Sequence, residues 1–107
     1  MWVEYNKHAV VIARGVYANN QKTGAWREYY DTGELMIEEN FTQGLQDGRF
    51  ATFHPNGQCC SEGMYKEGRR EGAFFMYEEN GRHVRTLTFK ADVLVEDVIV
   101  EERLAMA

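Results

Sequence analysis

Residues 48–72 read Gly48-Arg49-Phe50-Ala51-Thr52-Phe53-His54-Pro55-Asn56-Gly57-Gln58-Cys59-Cys60-Ser61-Glu62-Gly63-Met64-Tyr65-Lys66-Glu67-Gly68-Arg69-Arg70-Glu71-Gly72. The stretch begins and ends on glycine, carries Asn-Gly a third of the way along, and sets Phe50, Phe53 and Tyr65 between its turn residues. Shifted by 24 residues in either direction, the same pattern returns. Glycines recur at 24, 48 and 72, at 33, 57 and 81, and at 44 and 68. Aromatic residues keep the same step: Trp2, Trp26, Phe50 and Phe74; Tyr5, Tyr29, Phe53 and Tyr77; Tyr17, Phe41, Tyr65 and Phe89. Several columns in one phase define a tandem repeat, in which each unit buries its apolar face against its neighbours.

Asn56-Gly57 and Asn80-Gly81, with Thr32-Gly33 as a weaker version, read as two-residue type I′ hairpin turns, which require positive φ at both central residues. The stretches from Gly44 to Gly48 and from Gly68 to Gly72 read as longer polar connections between hairpins. That turn length fixes a register. It places Gly24 opposite Phe41, Arg27 opposite Glu38 and Tyr30 opposite Leu35. In the next unit it places Gly48 opposite Tyr65, Phe53 opposite Cys60 and His54 opposite Cys59. In the third it places Gly72 opposite Phe89, Tyr77 opposite Val84 and His83 facing Glu78. The repeat glycines Gly24, Gly48 and Gly72 thus lie across from Phe41, Tyr65 and Phe89, where a ring can cover bare backbone. Trp26, Phe50 and Phe74 share the face of those rings. Tyr29, Phe53 and Tyr77 fall on the other, which predicts two aromatic ladders.

The expected fold is all-β: tandem 24-residue hairpins in a single elongated, twisted antiparallel meander. The whole chain, 1–107, reads as one domain, with a degenerate first repeat over 1–23, repeats over 24–47, 48–71 and 72–92, and a C-terminal cap over 93–107. Ala9 and Asn20 stand at glycine positions in the first unit. In the cap, Val93-Leu94-Val95 and Val98-Ile99-Val100 predict a final edge strand, and residues 101–107 a short helical turn or a frayed end.

Composition agrees. Ten glycines against one proline indicate many tight turns, and two Trp, six Tyr and six Phe suit a pleated surface. The formal net charge of −5 disfavours nucleic acid and anionic membranes as partners. No run approaches the roughly 18 apolar residues of a membrane span. The N-terminus lacks the basic start and apolar stretch of a secretory signal. Adjacent Cys59 and Cys60 point to opposite faces of a strand, too poorly placed to bridge each other, and predict a reducing, cytoplasmic setting.

The glycine, aromatic pair, Asn-Gly, Glu and Tyr-x-x-Gly at this period resemble the MORN-repeat variant family, whose bacterial members include YwqK-like antitoxin components. The residues that carry the match are Gly24 to Tyr30 with Gly33, Glu38, Phe41 and Gly44; Gly48, Phe50, Phe53, Asn56, Gly57, Glu62, Tyr65 and Gly68; and Gly72, Phe74, Tyr77, Asn80, Gly81 and Phe89. Thr86 and Asp92 depart from the Glu and Gly of their columns. The resemblance implies a single-layer sheet that presents a broad face to a partner.

Catalytic constellations are not evident. His54 with Cys59 offers two metal ligands where zinc usually takes three or four. Ser61 has no glycine elbow. Glu38 and Glu62 recur at one repeat position, as ladder residues do, and the run from Gly68 to Gly72 lacks the Lys-Ser/Thr of a phosphate loop. The sequence therefore predicts no catalytic residue, no cofactor and no metal. It predicts a protein–protein interaction module whose partner is a toxin or another effector, held by Trp26, Tyr30, Phe50, His54 and Phe74 with Arg69 and Arg70 at the rim. Edge-to-edge pairing of terminal strands into homodimers is the alternative, and a small metal-dependent hydrolase comes last.

Overall fold

The period-2 alternation of apolar and polar residues between turn residues folds the chain into strands throughout the computed structural model, which describes residues 1–100. These are β1 (Trp2–Tyr5), β2 (Val11–Ala18), β3 (Gln21–Tyr29), β4 (Leu35–Thr42), β5 (Leu45–Gln46), β6 (Gly48–Phe53), β7 (Cys59–Lys66), β8 (Arg69–Tyr77), β9 (His83–Lys90) and β10 (Val93–Ile99). They form one sheet in chain order, every neighbouring pair antiparallel, with the short β5 paired to β4 beside the main path. The sheet measures 54 × 35 × 15 Å, so it is a single layer. The expected all-β meander of hairpins is the fold.

The turns are the reverse of the sequence expectation. The tight type I′ turns lie at Asn19-Asn20, Gln43-Gly44, Glu67-Gly68 and Ala91-Asp92, where both residues of each pair have positive φ. The Asn-Gly turns are one residue longer. Gly57 N–H donates to His54 O and His54 N–H to Gln58 O, so residues 55–57 form the loop. Only Gly57 has positive φ, at 91°, while Asn56 does not. This is a type I turn closed by a left-handed glycine. The turns at Gly33 and Gly81 repeat its hydrogen bonds.

A bulge beside each of these turns restores the register. Glu28 faces Ile37 but Tyr29 faces Leu35, so Met36 has no partner. Cys60 is extra in the same way, since Thr52 faces Ser61 and Phe53 faces Cys59. Val84 and Ile12 complete this column at the same 24-residue step. Near the turns four expected pairings are therefore corrected. Leu35 faces Tyr29, not Tyr30; Cys59 faces Phe53, not His54; Cys60 faces no residue; and Tyr77 faces His83, not Val84. Glu78 instead pairs with Arg82, which leaves His83 away from it. Beyond the bulge the longer loop and the extra residue cancel. Gly24–Phe41, Arg27–Glu38, Gly48–Tyr65 and Gly72–Phe89 are all opposite each other as expected.

One face carries the aromatic ladder. Trp2, Tyr17, Trp26 and Phe41 touch in sequence at centroid distances of 5.7, 5.0 and 6.5 Å. Phe50, Tyr65, Phe74 and Phe89 form a second cluster at 5.4 to 6.2 Å. Most of these contacts are edge-on, the arrangement that ring quadrupoles favour. The two clusters meet at Glu39, a buried carboxylate opposite Trp26 that accepts a hydrogen bond from Gln46. Gly15 and Gly63 occupy the same repeat position as Glu39 in the flanking units. There the rings of Trp26 and Phe74 lie flat against bare backbone, and a Cβ would fall 2.1 and 2.5 Å from them. The ring-covered glycines are thus Gly15 and Gly63. Gly24 and Gly72 have nothing near their missing Cβ and serve through positive φ instead. Tyr29, Phe53 and Tyr77 make no ring contacts with one another among the described residues, so the expected second ladder is not formed.

At the C-terminal end β10 is the expected edge strand, paired to β9 with a bulge at Val95. The helix or frayed end read for residues 101–107 lies outside the described residues.

Candidate interaction surface

The residues singled out as partner contacts are mostly engaged within the sheet. Trp26 and Phe74 are only 4% and 7% exposed. Trp26 also donates its indole N–H to Val16 O at 3.0 Å, so both rings are core. Phe50 is half-buried between Tyr65 and Phe74. Tyr30 donates its hydroxyl to Phe53 O at 2.6 Å, and His54 Nε2 lies 2.9 Å from Tyr77 O. These two side chains hold one repeated position, and each reaches from its own turn to the first strand of the next unit. Arg70 covers the Phe89 ring at 4.2 Å and pairs with Asp92 at 2.6 Å, which holds the Asp92 carboxyl below its usual range. Lys22, in the same column, covers Trp26 and Phe41 at 4.8 and 5.0 Å. Arg69 alone of the seven is an exposed side chain without such a bond among the described residues.

The column of Lys22 and Arg70 is fixed by the turns. Gly44 N–H donates to Lys22 O, Gly68 N–H to Gln46 O and Asp92 N–H to Arg70 O, so the last three type I′ turns each dock on the unit before them. Long side chains rooted there lie along the ladder, their stems on apolar surface and their charges in water.

The opposite face is polar in its middle and apolar beside it. Arg27 bonds Glu38 at 2.9 Å, Glu38 meets Arg49 at 3.4 Å, and Arg49 meets Glu62 at 3.2 Å, a row of alternating charge across β3, β4, β6 and β7. Tyr77 extends the row by donating to Glu62 Oε2 at 2.7 Å. That hydrogen bond is the main reason the Glu62 carboxyl sits below its ordinary range and the Tyr77 phenol is pushed up to about 12. Next to the row Arg49, Glu62, Gly63, Met64, Ala73 and Phe75 line a shallow hollow of about 250 Å³. Met64 and Phe75 are 52% and 37% exposed there. Sequence reasoning passed over both because they belong to none of the glycine or aromatic columns. The available signal was that an apolar residue outside the repeat's own columns is not explained by the repeat.

Chemically the surface offers binding groups. Cys59 lies across from Phe53, so the His54–Cys59 pair of metal ligands is not formed. Burial pushes the Cys59 thiol up, with the Glu62 carboxylate adding to it, which keeps the sulfur protonated and a poor nucleophile. Among the described residues no group of three or more His, Cys, Asp or Glu is placed to hold a metal ion. No helix of the structure is long and apolar enough to cross a membrane.

A one-layer sheet of stacked hairpins, with its rings on one face and a charge row on the other, defines a repeat module of quasi-one-dimensional build. The MORN repeat variant matches residues 22–43 and 46–67. The two matches begin 24 residues apart, in phase with the turns at Gly44 and Gly68. None of the curated proteins compared with the chain matches it.

Proposed function

We propose that the protein is a non-enzymatic protein-binding module that acts by covering part of its partner. The observation that carries this reading is the apolar hollow at Met64 and Phe75, open to solvent beside the Arg27–Glu38–Arg49–Glu62 row. Interface cores favour Met, aromatic residues and Arg, ringed by polar groups, and this surface supplies all three. A single-layer sheet has no second layer to hide such side chains, so a partner is the natural cover. The reading moves the contact from the ladder face, whose rings are used in packing, to the opposite face, and keeps Arg69 as a rim charge. An antitoxin or immunity role, in which the sheet occludes a toxin or effector in the cytoplasm, is the biological form we favour. The resemblance to MORN repeats and the free thiols of Cys59 and Cys60 support it.

The test is affinity capture of partners from cells with the native protein and with a Met64→Asp, Phe75→Ser variant. We expect one protein to be recovered with the native chain and lost with the variant, while the near-ultraviolet circular dichroism of Trp26 is unchanged. Equal recovery with both proteins, or no protein recovered with either, overturns the reading.

A further inference from the structure

All seven residues of β10 are exposed, and the strand forms one lateral edge of the sheet. Its inner side is used. Val98 faces Thr86, and Val100 N–H donates to Val84 O at 2.8 Å. Antiparallel alternation then sends the N–H and C=O groups of Asp97 and Ile99 outward, where no strand among the described residues receives them. The bulge at Val95 separates the pairs at Val93 and Leu94 from the longer regular run from Glu96 to Ile99. Val98 and Ile99 are apolar and exposed, so the edge has the composition of an interior strand.

Charge indicates what covers it. Within the sheet an acid on one strand is answered by arginine on its neighbours: Glu38 lies between Arg27 and Arg49, Glu62 meets Arg49, and Asp97 meets Arg85 at 2.6 Å. Asp97 has its arginine on the inner side only, and Glu96 forms no ion pair among the described residues. A second copy of the chain is a poor occupant. A two-fold pairing of β10 with itself brings two Glu96–Asp97 pairs to one seam with no lysine or arginine on either strand to answer them, which is unfavourable across a ladder. Head-to-tail joining fares no better. The path holds nine strands, so β1 and β10 run in the same direction and would meet as a parallel pair in an otherwise antiparallel sheet.

We infer that the free edge of β10 takes up an extended segment of a partner polypeptide, antiparallel, with a basic residue facing Glu96 and branched apolar residues beside Val98 and Ile99. The inference rests on the protein-binding reading above and adds the edge used and the chemistry of the strand it accepts. Main-chain bonds to Asp97 and Ile99 supply affinity, and the side chains supply selection.

A synthetic peptide copying residues 83–90, the basic strand that β10 already pairs with on its inner side, is the probe. The readouts are amide exchange by NMR and titration affinity. The Asp97 and Ile99 amides should gain protection when the peptide binds. Affinity should fall at least tenfold when the peptide's Arg85 and Lys90 are replaced by Glu. Ile99→Pro should abolish binding while the β9–β10 ladder persists, because only an outward N–H is removed. Glu96→Lys, which leaves the edge backbone untouched, should reverse the preference between the two peptides. Unchanged exchange at Asp97 and Ile99, equal affinity for both peptides, or protection confined to Trp2–Tyr5 overturns the inference. So does a peptide-free doubling of the 12.4 kDa mass that Ile99→Pro reverses, which would make a second copy the occupant. A negative peptide result with the Met64 and Phe75 capture result intact removes the edge alone. Loss of that capture result with peptide binding retained removes the face instead.

Discussion

A Cβ added to Gly15 or Gly63 lands inside the Trp26 or Phe74 ring, whereas one added to Gly24 meets nothing within 4 Å. The two kinds of glycine should therefore answer differently to alanine. Gly63→Ala must push Phe74 off the backbone and is expected to lose about 3 kcal/mol by overpacking. Gly24→Ala carries only the left-handed backbone penalty at φ 69°, about 1–2 kcal/mol. Chemical denaturation of the two variants side by side checks the order. The converse holds at Ala9, an alanine held at φ 64° in the first unit's glycine position. Ala9→Gly should raise stability by about 0.5–1 kcal/mol, since the relief exceeds glycine's entropic cost. The Tyr77–Glu62 hydrogen bond sets a pH window. The folded Glu62 carboxyl lies below its reference of 4.5, so its contribution is present above that value and fades as pH falls through the lowered value. The folded Tyr77 phenol lies at about 12 against 10.0, so its contribution is complete below 10.0 and fades as pH rises toward 12. Tyr77→Phe should cost about 1 kcal/mol at neutral pH, discounted for solvent exposure. Urea midpoints measured across pH should show its acid-side decline flattened.

At the scale of the hairpin, the sequence carried the strands and the long-range register but not the turns. Asn-Gly is compatible with both a two-residue type I′ loop and a three-residue type I loop ending in left-handed glycine. Pro55 was the residue that separated them, because proline favours the first corner of a type I turn. The bulges at Met36, Cys60 and Val84 left no mark in composition, since an unpartnered residue in a strand need not differ in type from a paired one. Tyr30 and His54 were legible as a column, but not the hydrogen bonds that they make between units. Their role depends on a carbonyl 23 residues further on, which a single hairpin does not contain. Tyr30→Phe should therefore leave the Phe53 carbonyl without its donor and cost about 1 kcal/mol. Hydrogen exchange should locate the loss at the seam between β4 and β6, and an effect confined to the β3–β4 hairpin would contradict the assignment.

For the whole molecule, the dense contacts run between neighbouring strands, and the ring clusters on either side of Glu39 are separate. Such an array should unfold as coupled segments, not as one block. Trp26→Ala should lower amide protection from β1 to β4 more than from β7 to β9, and a uniform loss would show a single cooperative core. The face proposed for binding was the least legible part of the sequence, because Met64 and Phe75 acquire meaning only once the ladder is known to lie behind them. The turn and bulge have a last consequence. Each hairpin adds one residue at its loop and absorbs one beside it, so neither can change length alone without turning the rest of that hairpin inside out. One residue inserted after Asn56 is ruinous, while a second copy of residues 48–71 placed before Gly72 meets the seam it expects. A change of length that keeps the sheet intact is therefore a whole unit of 24 residues.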